Sequence, residues 1–194
     1  MKNTENALVI LAGGNGSRFG KKLPKQFTQI NGENLIHFFL KRIDTNNFDK
    51  IVIVCKISYF KFFKKLEYDF PLVKFIYTKA GKDRQSSSYN GLKILKSFNP
   101  QNVLIHDAAR PFCSNNLIMK ILKNLKKNSS AIPYIVNTDK KMILKKDFNQ
   151  NIKFIQTPQG FKFQTIYEAH KNTLTKEARD DSSLIAEKKI TFVK

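Results

Sequence analysis

The chain has 194 residues, is 41% hydrophobic, and carries a formal charge of +20 from 35 Lys and Arg against 15 Asp and Glu. That length suits one buried core, and no apolar run reaches the span of a membrane helix, so a helical membrane protein is excluded. The lysines recur along the whole chain, alongside abundant Asn, Ile and Phe, few Gly and Pro and no Trp; this is compositional bias without an RNA-binding or zinc-finger motif, so no nucleic-acid partner is expected.

The opening MKNTEN leads straight into apolar Ala7, Leu8, Val9, Ile10 and Leu11. It has no signal-peptide cleavage pattern, which reads as cytoplasmic. The apolar run is a buried strand, and AGGNGSRFGKKLPKQ follows it over residues 12–26. Glycine lets a loop approach a ligand closely, its backbone N–H groups point at anionic oxygens, and Arg18 and Lys25 add charge: the composition of a polyphosphate loop. Two familiar phosphate loops fail on spacing. Asn15 stands where a Walker loop needs its first glycine and Lys22 where it needs Ser or Thr. Gly14, Gly16 and Gly20 are one residue too widely spaced for a dinucleotide fingerprint, and Pro24 soon interrupts the chain.

Residues 34–43 carry Leu35, Ile36, Phe38, Phe39, Leu40 and Ile43 at the spacing of a buried helix face. Ile51, Val52, Ile53, Val54 and Cys55 form the β-branched run of a strand covered on both faces, over residues 50–56. Cys55 and Cys113 are isolated, without metal spacing, and read as reduced thiols. A Phe- and Lys-rich helix over 59–66 closes before Pro71, a strand covers 73–77, and a helix over 84–96 offers Tyr89, Leu92, Ile94 and Leu95 for packing. Between the last two lies AGKDRQSSSYNGL, a second glycine-led strand-to-helix turn. Such turns gather at the carboxyl edge of a parallel sheet, where open α/β folds bind ligands. Gly81, Arg84 and the hydroxyls of Ser86, Ser87 and Ser88 are therefore candidate ligand groups at a helix N-terminus, although an ordinary N-capped helix uses the same residue types.

Residues 102–106 form a fourth strand that delivers Asp107, within HDAARP, to that same edge. Magnesium takes one or two carboxylates beside phosphate oxygens and water, so one aspartate is a sufficient anchor; a turn cap, served equally by Arg110-Pro111, is the alternative. A helix over 115–127 turns Leu117, Ile118, Ile121, Leu122 and Leu125 inward, and a strand covers 131–136. Two alternating segments around DFNQN, within 137–154, read as a projecting β-hairpin whose apolar face needs a partner. QTPQGF returns the chain to the body, helices over 164–172 and near 180–187 follow, and 190–193 is a last strand. Asp180 and Asp181 suit the dipole of the second helix, and a purely structural role and a binding one are equally open for them.

The segments AGGNGSRF, PKQ, GKDRQSS, HDAARP and QTPQGF, in this order, resemble the 2-C-methyl-D-erythritol 4-phosphate cytidylyltransferase family, one of the sugar-phosphate nucleotidyltransferases. The resemblance implies a single α/β domain over 1–194, with a three-layer Rossmann-like nucleotidyltransferase fold and a mostly parallel twisted sheet. It also implies a projecting β-hairpin arm, about 137–155, that crosses to the second subunit of a homodimer. The implied reaction is transfer of a cytidylyl group from CTP to 2-C-methyl-D-erythritol 4-phosphate, releasing pyrophosphate, in non-mevalonate isoprenoid biosynthesis. A ribitol 5-phosphate cytidylyltransferase and a nucleotide-binding domain without turnover remain as alternatives.

Position by position, Arg18 and Lys25 match the family's stabilising cations. Ala12, Gly13, Gly14, Gly16, Gly81, Arg84, Ser87, Asp107 and Ala108 complete the CTP contacts, with Gly81 and Ser87 at the cytosine. Asp107 matches the magnesium ligand, and Thr138 and Asn149 match arm positions that hold the acceptor phosphate. Asn149 replaces the arginine usual in the family. The family's further strand, with its phosphate-holding lysine, has no counterpart before Lys194, so the expectation is a fragment of a longer chain, fusion to the next enzyme of the pathway included.

Overall fold

The computed structural model describes residues 5–14, 28–136, 153–173, 178 and 180–194. In chain order the elements are β1 (Asn6–Leu11), the short hairpin β2 (Gln29–Ile30) and β3 (Glu33–Asn34), α1 (Leu35–Lys41), β4 (Lys50–Cys55), α2 (Phe60–Phe63), α3 (Leu66–Asp69) and β5 (Phe75–Lys79). They continue with α4 (Arg84–Leu95), β6 (Asn102–Asp107), α5 (Asn115–Leu125), β7 (Ser130–Val136), β8 (Lys153–Ile155), β9 (Gln159–Lys162), α6 (Phe163–Asn172) and β10 (Phe192–Val193). Three helices begin where a short polar side chain satisfies an orphan N–H: Asn34 for α1, Asp83 for α4 and Ser114 for α5.

The main sheet runs β10-β7-β9-β6-β1-β4-β5, with β8 added to β7. The β1 strand is parallel to β4 and β6, and β4 to β5, while β9 is antiparallel to both of its neighbours. Alternation along the strands divides the core. Leu8, Ile10, Ile51, Ile53 and Leu104 pack with Ile36, Phe39 and Leu40 of α1 and Ile118 and Ile121 of α5. Ala7, Val9, Val52, Val54, Val103 and Ile105 pack on the opposite face with Leu92 and Leu95 of α4 and Phe163 and Ile166 of α6. The result is helix, sheet, helix, and each central strand is apolar throughout because both of its faces are covered. Among the described residues no helix is long and apolar enough to cross a membrane.

From β1 the chain steps outward through β4 to β5, then α4 carries it back so that β6 lies on the other side of β1. The strand order therefore reverses between β1 and β6, and a crevice beyond their carboxyl ends is where this class of sheet takes its ligand.

Several expectations need correction. The helix over 59–66 is a 3-10 turn, Ile57–Tyr59, followed by α2 and α3, and only Phe63 and Leu66 of those two helices are buried. The third strand starts at Phe75, not at residue 73, because the N–H of Val73 closes a turn onto the Phe70 carbonyl. No helix spans 180–187. Asp180 takes the Ser182 hydroxyl and the Ser183 N–H, and two 3-10 turns, Ser182–Leu184 and Glu187–Lys189, stand there instead, with extended Ile185 between them. The β9 strand is an addition to the elements expected from sequence. Its Gln159 and Gly160 carry no apolar signal, but a Cβ on Gly160 would overlap the Ile121 methyl, so glycine lets α5 lie directly on the strand. Of the projected hairpin, only β8 falls within the described residues, paired antiparallel to Tyr134, Ile135 and Val136.

Candidate active site

At the carboxyl edge Leu11 is paired with Asp107, and backbone bonds extend the sheet one residue further: Ala12 N–H to the Val54 carbonyl (2.8 Å) and Ala108 N–H to the Leu11 carbonyl (3.1 Å). The loop after β1 meets the turn after β5 immediately. A Cβ on Gly13 would overlap the Ala80 methyl and lie 3.8 Å from Ser87 Oγ, so glycine is required for this approach. The next residue, Gly14, is exposed, and among the described residues nothing lies within 4 Å of where its Cβ would stand.

A reciprocal cap builds the second turn. Asp83 Oδ1 accepts from Ser86 N–H (2.6 Å), and the Asp83 N–H donates to Ser86 Oγ (3.1 Å). The Ser87 hydroxyl donates to the Asp83 carbonyl (2.7 Å) and accepts from Gly81 N–H (3.0 Å). Its proton is committed to this turn, which leaves an acceptor lone pair for any base bound there.

Asp107 ends β6 at the centre of a charge network. Arg84 Nε donates to its Oδ1 (3.0 Å), and Arg110 Nε stands 3.5 Å from its Oδ2. Arg84 Nη1 reaches across to Oδ2 of Asp181 (2.7 Å), whose Oδ1 meets His170 Nε2 (3.0 Å). Asp181 and His170 are 1% and 0% exposed. Burial works against the charge of Arg84, but Asp181 and Asp107 outweigh it and hold the guanidinium more firmly protonated than usual. Burial likewise pushes the Asp181 carboxyl up, and the bonds from His170 and Arg84 bring it below the ordinary carboxylate range.

Among the described residues no cluster of three His, Cys, Asp or Glu stands ready for a metal. A magnesium ion held mainly by phosphate and water needs only one carboxylate, and Asp107 meets that requirement. Its Oδ2 has an ion-pair contact to Arg110 at 3.5 Å, beyond good hydrogen-bond length, so a lone pair remains for a hard cation.

The turn before β9 braces this edge. Gln156 Oε1 accepts from Arg110 Nη1, Thr157 Oγ1 accepts from Asp107 N–H (3.3 Å), and Gln159 Oε1 accepts from Ser182 N–H (3.0 Å). Thr157 Oγ1 is also 3.2 Å from Nδ1 of His106, which is fully buried and stacked on Phe39 with ring centroids 4.1 Å apart. QTPQGF thus carries a bracing function that its residue types did not announce. Arg110 joins the site where a turn role was equally open, and Asp181 belongs to it as an ion-pair partner rather than as a helix-dipole charge. No sequence spacing relates Arg84 to Asp181, which is 97 positions away.

Of the candidate residues, Ala12, Gly13, Gly14, Gly81, Arg84, Ser87, Asp107 and Ala108 come together at this one edge. Gly16, Arg18, Lys25, Thr138 and Asn149 lie outside the described residues.

A family model for 2-C-methyl-D-erythritol 4-phosphate cytidylyltransferase matches residues 6–191. The chain belongs to that family. Among related cytidylyltransferases, the one from Thermotoga neapolitana is 33% identical over 186 residues, which cover 91% of this chain and 81% of that protein. The bifunctional enzyme IspD/IspF of Pelagibacter ubique is 39% identical over 97% of this chain, which spans about half of that relative's length, 52%. In solved structures, the 4-diphosphocytidyl-2C-methyl-D-erythritol synthase of Anaerococcus prevotii superposes with a TM-score of 0.84 at 25% identity, covering 98% of this chain and 87% of that one. The bifunctional IspDF of Campylobacter jejuni gives 0.77 at 29% identity, covering 98% of this chain and 49% of that one. The cytidylyltransferase family thus shares this mixed α/β architecture with its mostly parallel sheet.

Proposed function

We propose that the chain is one nucleotidyltransferase domain that transfers the cytidylyl group of CTP to 2-C-methyl-D-erythritol 4-phosphate, releasing pyrophosphate, in the cytoplasm. The observation that carries this reading is the convergence of Gly13 and Gly14, the Gly81–Ser87 turn and Asp107 on the β1/β6 switch point, in a chain that belongs to the cytidylyltransferase family. In the proposed step a phosphate oxygen of the acceptor attacks the α-phosphorus of CTP, and the bond from that phosphorus to the bridging oxygen breaks, so that pyrophosphate leaves with the electron pair. A phosphate monoester is already anionic at neutral pH, so no side-chain base is needed, and catalysis consists of alignment and charge neutralisation.

In this reading the loop over 12–26 wraps the triphosphate, with Gly16 among its backbone contacts, Arg18 and Lys25 neutralise the charge that grows on the α-phosphate and the leaving group, and Gly81 and Ser87 address the base. Asp107 would hold a magnesium ion, which when bound supplies further neutralisation of the phosphate oxygens. Pyrophosphate release measured with CTP, magnesium and each acceptor in turn tests the assignment. Turnover is expected with 2-C-methyl-D-erythritol 4-phosphate. Turnover with ribitol 5-phosphate alone would reassign the acceptor, and CTP binding without turnover on either would leave a nucleotide-binding domain.

The same reading gives the acceptor phosphate to Thr138 and Asn149 from the arm of a second subunit. Tyr134, Lys153 and Phe192 make a ring-and-cation cluster at the base of that arm, and Ile135 and Phe154 beside it expose apolar surface. Sedimentation equilibrium is expected to give twice the 22.4 kDa chain mass; a monomer at micromolar concentration would remove the shared site.

A further inference from the structure

We propose that Asp181, steadied by His170, is a positioning residue for the nucleotide: it fixes the Arg84 guanidinium at the first turn of α4 without touching the ligand. The inference rests on the CTP-binding reading above. Arg84 opens α4 three residues after Gly81; its side chain is 28% exposed, while its Nη2 is buried without a hydrogen-bond partner among the described residues, so the guanidinium stands at the turn that would receive CTP with one donor unspent. Its side chain is long, and holding it in one rotamer has an entropic cost. Asp107 alone would not specify that rotamer, because a guanidinium facing one carboxylate tends to turn and pair with it through two parallel bonds.

The second carboxylate prevents that rotation. Arg84 gives Nε to Asp107 on β6 and Nη1 to Asp181 on the segment after α6, so its plane is held at two edges by two separate elements. Asp181 is in turn unable to follow a moving arginine. Its other oxygen meets His170 Nε2 at 3.0 Å, and the His170 ring lies parallel to that of Tyr89 on α4, centroids 6.1 Å apart. The backbone beside it is pinned by Gln159 at the Ser182 N–H and by Asp180 at the Ser183 N–H.

Burying a carboxylate this deeply is costly, and a buried ion pair does little for net stability compared with an apolar replacement. What it provides here is the fixed direction of one arginine at the edge of the nucleotide turn. The chain of interactions also ties α4, β6 and α6 together around the same crevice.

The test is the dissociation constant for CTP with magnesium, measured by calorimetry on the wild type, Asp181→Asn, Arg84→Met and the double variant Arg84→Met/Asp181→Leu, with thermal unfolding of each. Asp181→Asn is expected to weaken CTP binding about tenfold or more, the scale of removing one charge-assisted hydrogen bond. In the Arg84→Met background, removing Asp181 is expected to change the constant less than about twofold, as a residue that acts only through Arg84 should. The double variant leaves no buried charge unpaired between the two positions, so it carries the comparison if Asp181→Asn folds poorly. A lowered melting temperature with unchanged CTP affinity would make the role of Asp181 structural and overturn the proposal. So would a double variant that binds clearly more weakly than Arg84→Met. A wild-type chain that fails to bind CTP refutes the functional reading itself, whereas wild-type binding matched by Asp181→Asn refutes this inference alone.

Discussion

Lys25→Ala and Arg18→Ala are each expected to lower turnover about 100- to 1,000-fold, the usual effect when one preorganised group facing transition-state charge is removed, while thermal unfolding stays near that of the wild type. The argument comes from the charges already committed at the crevice. Arg84 is shared between Asp107 and Asp181, and Arg110 lies between Asp107 and Gln156. These two arginines and two carboxylates balance, so this ion-pair network by itself brings no net positive charge to a nucleoside triphosphate. The sequence loads the loop after β1 with Arg18, Lys21, Lys22 and Lys25 and gives it no acid of its own. In the proposed reaction the acceptor phosphate needs no deprotonation by the protein, so removal of a loop cation should slow single-turnover pyrophosphate release at every pH where the monoester is ionised. A pH-dependent effect would instead indicate a missing base. Near wild-type release by either variant would sink the assignment of catalysis to this loop.

The sheet was readable from sequence wherever both faces of a strand are covered. The runs at Ala7–Leu11, Ile51–Cys55 and Val103–Ile105 are apolar at every position for that reason, and each pairs in parallel with at least one neighbour. Gln159–Lys162 was not, because an antiparallel strand can carry a glycine that receives a helix and a glutamine whose amide is used by a neighbouring loop. The glycine turns were readable for a related reason, since Gly13 and Gly81 stand where backbone approaches a neighbour too closely for a Cβ. The Arg84, Asp181 and His170 set was out of reach. Each residue type is common, the ion pair spans 97 positions, and its logic exists only once α6 returns beside α4. The acidic stretch at Asp180-Asp181 could be seen, but not that one carboxylate shapes a turn while the other is buried against an arginine.

Stability is expected to fall steeply as pH drops from about 6.5 toward about 3, and His106 is the group responsible. Alternation along β6 turns His106 to the α1 side, where it stacks on Phe39 and is fully buried. The Thr157 oxygen already accepts the Asp107 N–H, so its proton is available to His106 Nδ1, an arrangement that fits a neutral imidazole. Burial pushes this imidazole down to about 3. The unfolded chain takes up the proton near the ordinary value of 6.5 and the folded one does not, so the unfolded state binds more protons throughout that window. The contribution is therefore fully present above about 6.5 and disappears as pH falls toward the folded value. At about 1.4 kcal/mol per pH unit, the window amounts to at most about 5 kcal/mol, comparable with the whole stability of many domains. Urea midpoints measured at intervals across the window, for the wild type and for His106→Asn, separate this effect from the general repulsion of a +20 chain, which both proteins share. Asparagine keeps an acceptor for Thr157 but gives up the ring stacking, so the variant should be weaker at neutral pH by about 1 kcal/mol. It cannot be protonated in this range, so its curve should be flatter, cross that of the wild type about one pH unit below 6.5 and lie above it in stronger acid. Parallel curves for the two proteins would place the acid sensitivity elsewhere.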